Sequence, residues 1–189
     1  MKKITNMLTI CLSILGIIFM IKYAINKDLS RVIISATLPL LLYIPNIIKI
    51  NEHLKFIYII YLFLLLVLGC IFKLYEKIYF YDSIAHFIFG FAGSIIALYI
   101  LKKSKKYDRK SLIFNIFYIL ILTLAASALW EIFEFINSII FNLDVQHVKE
   151  TGVNDTMKDI ILAFLGSILF SIWYCYVIKS NKQYDKYLQ

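Results

Sequence analysis

Three short stretches place acids and a histidine in a chain otherwise rich in Ile, Leu and Phe. In YDSIAHFIFG, Asp82 and His86 stand four residues apart. Glu131 and Glu134 are three apart in ALWEIFEF, and Asp155 and Asp159 four apart in NDTMKDIILAFLG. Each separation puts both members on one face of a helix. Ionised groups left unpaired at low dielectric are untenable, so protons or a bound cation must compensate them. Carboxylates with one imidazole suit a divalent ion such as Zn²⁺ or Mn²⁺, and an all-oxygen subset suits Mg²⁺. The expected ligands are His86, Glu131, Asp159 and Asp155. Glu134 is expected as a further ligand or as general base for an attacking water. Asp82 would orient His86 through its second ring nitrogen.

The elements that must carry these residues are spanning helices. Of the 189 residues 61% are hydrophobic and 17% charged, against roughly 45–50% and about 25% in soluble domains. A spanning helix needs about 20 mostly apolar residues. Six segments qualify: Ile4–Ile25, Arg31–Ile48, Leu54–Phe72, Ser83–Leu101, Leu112–Phe141 and Asp159–Ile178. Pro39 and Pro45 interrupt the second, and a kinked span is expected there rather than a break. The first segment follows Lys2 and Lys3 but lacks a small-residue cleavage site, so it reads as a retained helix. The fold class is therefore all-α, a polytopic membrane helical bundle of about six helices in one membrane domain. Residues 1–74 form three generic helices and 75–178 the core that bears the polar site.

Counting Lys and Arg on alternate sides gives thirteen on the side of the N-terminus and seven on the other. Both termini are thus expected in the cytoplasm of a multi-pass bacterial plasma-membrane protein. The run KKSKKYDRK, Lys102 to Lys110, accounts for most of the bias. A basic loop between two apolar segments reports topology and contact with lipid headgroups, so nucleic acid is not an expected partner. Cys11, Cys70 and Cys175 are widely spaced in apolar runs and read as buried small hydrophobes, not a disulfide framework.

In that topology the three acidic stretches share one layer. Glu131 lies about 20 residues into its segment, a rise of about 30 Å, which brings it to the outer interface where Asp82 and Asp155 begin theirs. Below them the same faces turn small: Gly90, Gly93, Ser94 and Ala97; Ser127 and Ser138; Ala163 and Gly166. Small residues let membrane helices approach closely, which would converge the acids. Asp82 also fits a helix cap, and Asp155 and Asp159 fit the positive end of a helix. Glu131 and Glu134 are harder to dismiss, because acids within a span are costly and usually face a cavity or a partner. His147, in the connection before Asn154, is a looser candidate as part of a lid or a plain connector.

The order D-x-x-x-H, then E-x-x-E, then an Asp with LG seven residues on resembles the VanZ-like proteins. It resembles more closely the YjdF-type bacterial inner-membrane proteins. The matching positions are Asp82, His86, Glu131, Glu134, Asp159 and Gly166, within residues 75–178. Glu134 replaces the glutamine, and Ala163 the asparagine, usual in VanZ-like chains. The resemblance implies a membrane helical fold and supplies no reaction.

No G-x-S-x-G, H-E-x-x-H or phosphatidate-phosphatase-type signature occurs, so serine-hydrolase, zincin and that lipid-phosphatase chemistry lack support. Three readings stand. The first is metal-dependent hydrolysis or transfer on a lipid or lipid-linked substrate at the outer leaflet. The second is proton- or cation-coupled transport, which requires a polar trail through inner helix halves that look mostly apolar. The third is a non-enzymatic protein whose acids form a structural polar network.

Overall fold

A computed structural model describes residues 1–141 and 152–180. The elements are α1 (Lys2–Ile25), α2 (Leu29–Ile47), α3 (Glu52–Leu62, continued by a π-helical run Phe63–Ile71), α4 (Leu74–Lys77), α5 (Tyr81–Lys103), α6 (Leu112–Phe141) and α7 (Asn154–Lys179). No strand occurs among the described residues, and the all-α polytopic reading holds. Five helices are long and apolar enough to cross a membrane, while α2 is apolar only over Arg31–Ile47. Residue-to-residue contacts divide the chain into one compact unit spanning Met1–Tyr81 and another beginning at Asp82.

In the first unit, side chains start the helices. Asp28 accepts a hydrogen bond from Arg31 N at 3.2 Å, and Asn51 accepts one from Leu54 N at 2.9 Å. Each caps an amide that has no partner inside its own helix. Both prolines lie within an unbroken α2. Pro45 has no N–H for the carbonyl of Leu41, one turn back, and Tyr58 Oη donates to that oxygen at 3.1 Å. Leu12, Leu38, Leu42, Ile59 and Val67 form the core.

Lys55, one of the thirteen basic residues counted on the side of the N-terminus, is buried, only 2% exposed. Its ammonium donates to Asn6 Oδ1 at 3.0 Å and Asn46 Oδ1 at 2.7 Å, tying together α1, α2 and α3. Beside it, Thr5 Oγ1 donates to Glu52. The cysteines are free thiols, but Cys11 is exposed on α1 and the other two are half-buried. On a spanning helix an apolar side chain can face lipid as readily as protein, so an apolar run does not imply burial.

In the second unit the small residues sit where α5 and α7 meet. A Cβ on Gly90 would fall 1.8 Å from the Ala163 carbonyl oxygen, and one on Gly166 would fall 2.1 Å from that of Phe87. The two helices therefore touch backbone to backbone. One turn deeper, Ser94 Oγ lies 2.7 Å from Ser167 Oγ and 3.3 Å from Thr123 Oγ1, joining α5, α7 and α6. The close crossing and the hydroxyl cluster fix the register of the three helices that bear the acids.

Candidate metal centre of α5, α6 and α7

Asp82 lies in the first turn of α5 rather than capping it, and Asp155 lies in the first turn of α7. His86 and Asp159, one turn further along each helix, are buried. The Gly90–Ala163 crossing lies one turn beyond both, so it brings the two helices together at this level. One ligand atom from each of Asp82, His86 and Asp159 lies within 4.8 Å of the others.

Within the trio, His86 Nε2 is 3.6 Å from Asp82 Oδ1. That is too long for a hydrogen bond. It is close to the separation of two ligands sharing one ion, roughly 3.4 Å for tetrahedral bonds of 2.0–2.2 Å. Asp159 is 3% exposed, and its Oδ1 accepts no hydrogen bond among the described residues. Its nearest cation is Lys158 Nζ at 4.0 Å. Lys158 itself donates to Asp155 Oδ1 at 2.7 Å. A buried carboxylate oxygen without a donor is expensive, and a cation shared with His86 and Asp82 would relieve it. The donor set, one imidazole and two carboxylates, fits Zn²⁺ or Mn²⁺ and lacks the all-oxygen shell that Mg²⁺ prefers.

The other expected residues divide by their surroundings. Glu131 is buried on α6, and Glu134, half-buried, accepts a hydrogen bond from Trp130 Nε1 at 2.8 Å. Neither belongs to the converging trio, nor does Asp155 at the Lys158 ion pair. His147 lies outside the described residues. Trp130 was not singled out from sequence, although its i, i+4 spacing to Glu134 carries the signal. Glu131 also lines a groove of about 460 Å³ whose other walls include Ile132, Phe135, Val153 and Ile160.

The halves of these helices away from the acids are less apolar than their sequences look. Ser127, Thr123 and Asn115 on α6, Ser94 on α5, and Ser167 and Ser171 on α7 are all buried. Ser127 Oγ and Asn115 Oδ1 accept no hydrogen bond among the described residues. Near the Lys-rich end, Asn115 Nδ2 lies 3.3 Å from Tyr174 Oη, which lies 3.2 Å from Tyr107 Oη.

Comparison with known proteins places the chain by family. An uncharacterized protein of Thermotoga maritima is 33% identical over 119 residues, covering 62% of this chain and 59% of that protein. The chain thus spans under two thirds of the length of that relative. No solved structure matches. The model of a family described as predicted membrane proteins, DUF2238, matches residues 6–180, which include every candidate residue on α5, α6 and α7. The resemblance to YjdF-type membrane proteins is consistent with that match, and the chain belongs to the DUF2238 family of predicted membrane proteins.

Proposed function

We propose that this multi-pass membrane protein holds a divalent cation at the junction of α5 and α7 and uses it for hydrolysis or group transfer on a lipid or lipid-linked substrate. The observation that carries the reading is Asp159 Oδ1, buried beside His86 and Asp82 without a hydrogen-bond donor among the described residues. In this reading Asp82, His86 and Asp159 hold the ion, and Glu131 completes its shell. Glu134 serves as general base, and Asp155 stays with Lys158. The ion, Zn²⁺ or Mn²⁺ by its donor set, would polarise a phosphoryl or carbonyl oxygen. The apolar groove reaching Glu131 supports a lipid as the molecule presented there. A bacterial plasma-membrane location with this site at the outer leaflet, and a distant VanZ-like kinship, belong to the same proposal.

Elemental analysis of detergent-purified protein tests it, with wild type beside His86→Ala and Asp159→Asn. Near-stoichiometric metal in the wild type, lost in both variants, is the expected result. A folded wild type that takes up neither Zn²⁺ nor Mn²⁺ on titration would overturn it.

A second reading, proton- or cation-coupled transport, is favoured by the buried polar side chains from Ser127 to Asn115. It predicts ion flux in proteoliposomes that Ser127→Ala or Thr123→Val reduces, whereas the hydrolytic reading predicts none.

A further inference from the structure

The Lys-rich end of the second unit pairs a dense cationic loop with an apolar groove. Lys102, Lys103, Lys105, Lys106, Arg109 and Lys110 lie within nine residues that contain a single acid, Asp108. That acid is engaged with the loop itself: Asp108 accepts hydrogen bonds from Lys110 N at 2.9 Å and Ser111 Oγ at 3.0 Å. It makes no ion pair with a lysine or arginine side chain among the described residues. Lys102 and Lys103 lie over the rings of Tyr107 and Tyr99. Lys105, Lys106 and Lys110 are exposed.

Directly below begins a groove of about 760 Å³ lined by Lys110, Ser111, Leu112, Ile113, Phe114 and Phe117. Its apolar side chains are uncovered within the unit, Ile113 being 85% exposed. A cation at the mouth with aromatic and aliphatic walls beneath reproduces, in order, the partners an anionic phospholipid needs. The phosphate meets the Lys110 ammonium, and the acyl chain lies along Phe114 and Phe117.

We infer that this groove is a specific site for one anionic phospholipid. Two independent features support that occupant over others. The charge is complementary, since Lys105, Lys106 and Lys110 are exposed beside a single acid that is bonded to the loop itself, and a basic segment beside a membrane helix attracts anionic lipid. The apolar wall is continuous with the cations and gives free phosphate no partner. The site lies at the end of α6 opposite Glu131, so it stands or falls independently of the metal centre.

The test uses the purified full-length protein, delipidated and then exposed to phosphatidylglycerol or phosphatidylcholine, with bound lipid counted by native mass spectrometry. Wild type should retain one phosphatidylglycerol and exclude phosphatidylcholine. Each neutralised cation should weaken retention by about fivefold, so Lys106→Gln, Arg109→Gln and Lys110→Gln together should weaken it by roughly a hundredfold. Phe114→Ser with Phe117→Ser should weaken it as well while leaving every charge in place. Equal retention of both lipids, or wild-type retention by the triple variant, overturns the site. Loss in the triple variant with full retention in the phenylalanine double variant also overturns it, by reducing it to diffuse attraction. Displacement of the lipid by inorganic phosphate at equal concentration does the same. Circular-dichroism melting of each variant separates lost binding from lost folding.

Discussion

Lys55 and Asp159 are both charged side chains almost wholly removed from solvent, and the protein treats them oppositely. Lys55 sits between two amide oxygens, and those two bonds tie together three helices of the first unit. Asp159 has a buried oxygen with no donor among the described residues, next to a histidine and a second carboxylate that are themselves only loosely matched. A buried charge supplied with partners is a structural fastening. One denied them costs stability unless a proton or a cation compensates it.

The largest expected effect attacks the fastening. Lys55→Ala removes a long, fully buried side chain and strands two amide oxygens, and should cost about 3–5 kcal/mol. Asp159→Asn should change the stability of metal-free protein by about 1 kcal/mol or less, because the amide keeps the shape of the side chain and cannot carry a buried negative charge. Denaturant unfolding of both variants in one mild detergent measures the difference. Equal losses would erase the contrast and make Asp159 part of a structural polar network.

A smaller effect tests whether the metal trio depends on helix contact. Gly90→Ala would place a Cβ against the Ala163 backbone and should cost about 1–3 kcal/mol. It should also lower metal uptake, because His86 and Asp159 approach through that crossing. Gly93→Ala is the matched control. Its added Cβ meets Thr123 Cγ2 at an ordinary 3.4 Å, so it should be neutral or stabilising by about 0.5–1 kcal/mol. Melting curves with metal content for both variants decide it. A Gly90→Ala protein that keeps its metal would detach the site from the seam.

The helices were legible because apolar length and the bilayer allow few alternatives, and observed boundaries fall within a few residues of the expected ones except at the start of α7. There Asn154, Asp155 and Lys158 extend the helix five residues before Asp159, since polar side chains suit a first turn at the interface. Turns were harder to read. Lys27, Lys49, Lys73 and Lys105 occupy the left-handed region where glycine is usual, so no glycine marks those chain reversals. At the site, same-helix spacing exposed each acid pair, but which members converge depends on how α5 crosses α7. That crossing selected Asp82 for the trio over Glu131 and Asp155. The burial of Lys55 was hidden for the same reason: its partners lie on two other helices, 49 and 9 residues away.

The smallest effect extends the comparison to an exposed, fully bonded carboxylate. Hydrogen bonds from the Lys110 amide and the Ser111 hydroxyl hold the Asp108 carboxyl below the ordinary aspartate range. A depressed folded-state value means that the stabilisation is complete above the ordinary aspartate pKa. It declines as the pH falls below that value and is gone once the pH passes the depressed one. Solvent screens the group, so the effect on global unfolding should be slight and should appear first as fraying at the start of α6. Amide exchange at Lys110 and Ser111, followed from neutral pH down through the carboxylate range and corrected for intrinsic rates, reads it directly. Protection should fall with acid in wild type and be low and pH-independent in Asp108→Asn. Unchanged protection in the acidified wild type would mean that the loop is held by its tertiary contacts, among them the 2.8 Å hydrogen bond from Asn115 Nδ2 to the Asp108 carbonyl. The fastening principle seen at Lys55 would then govern this end of the second unit too.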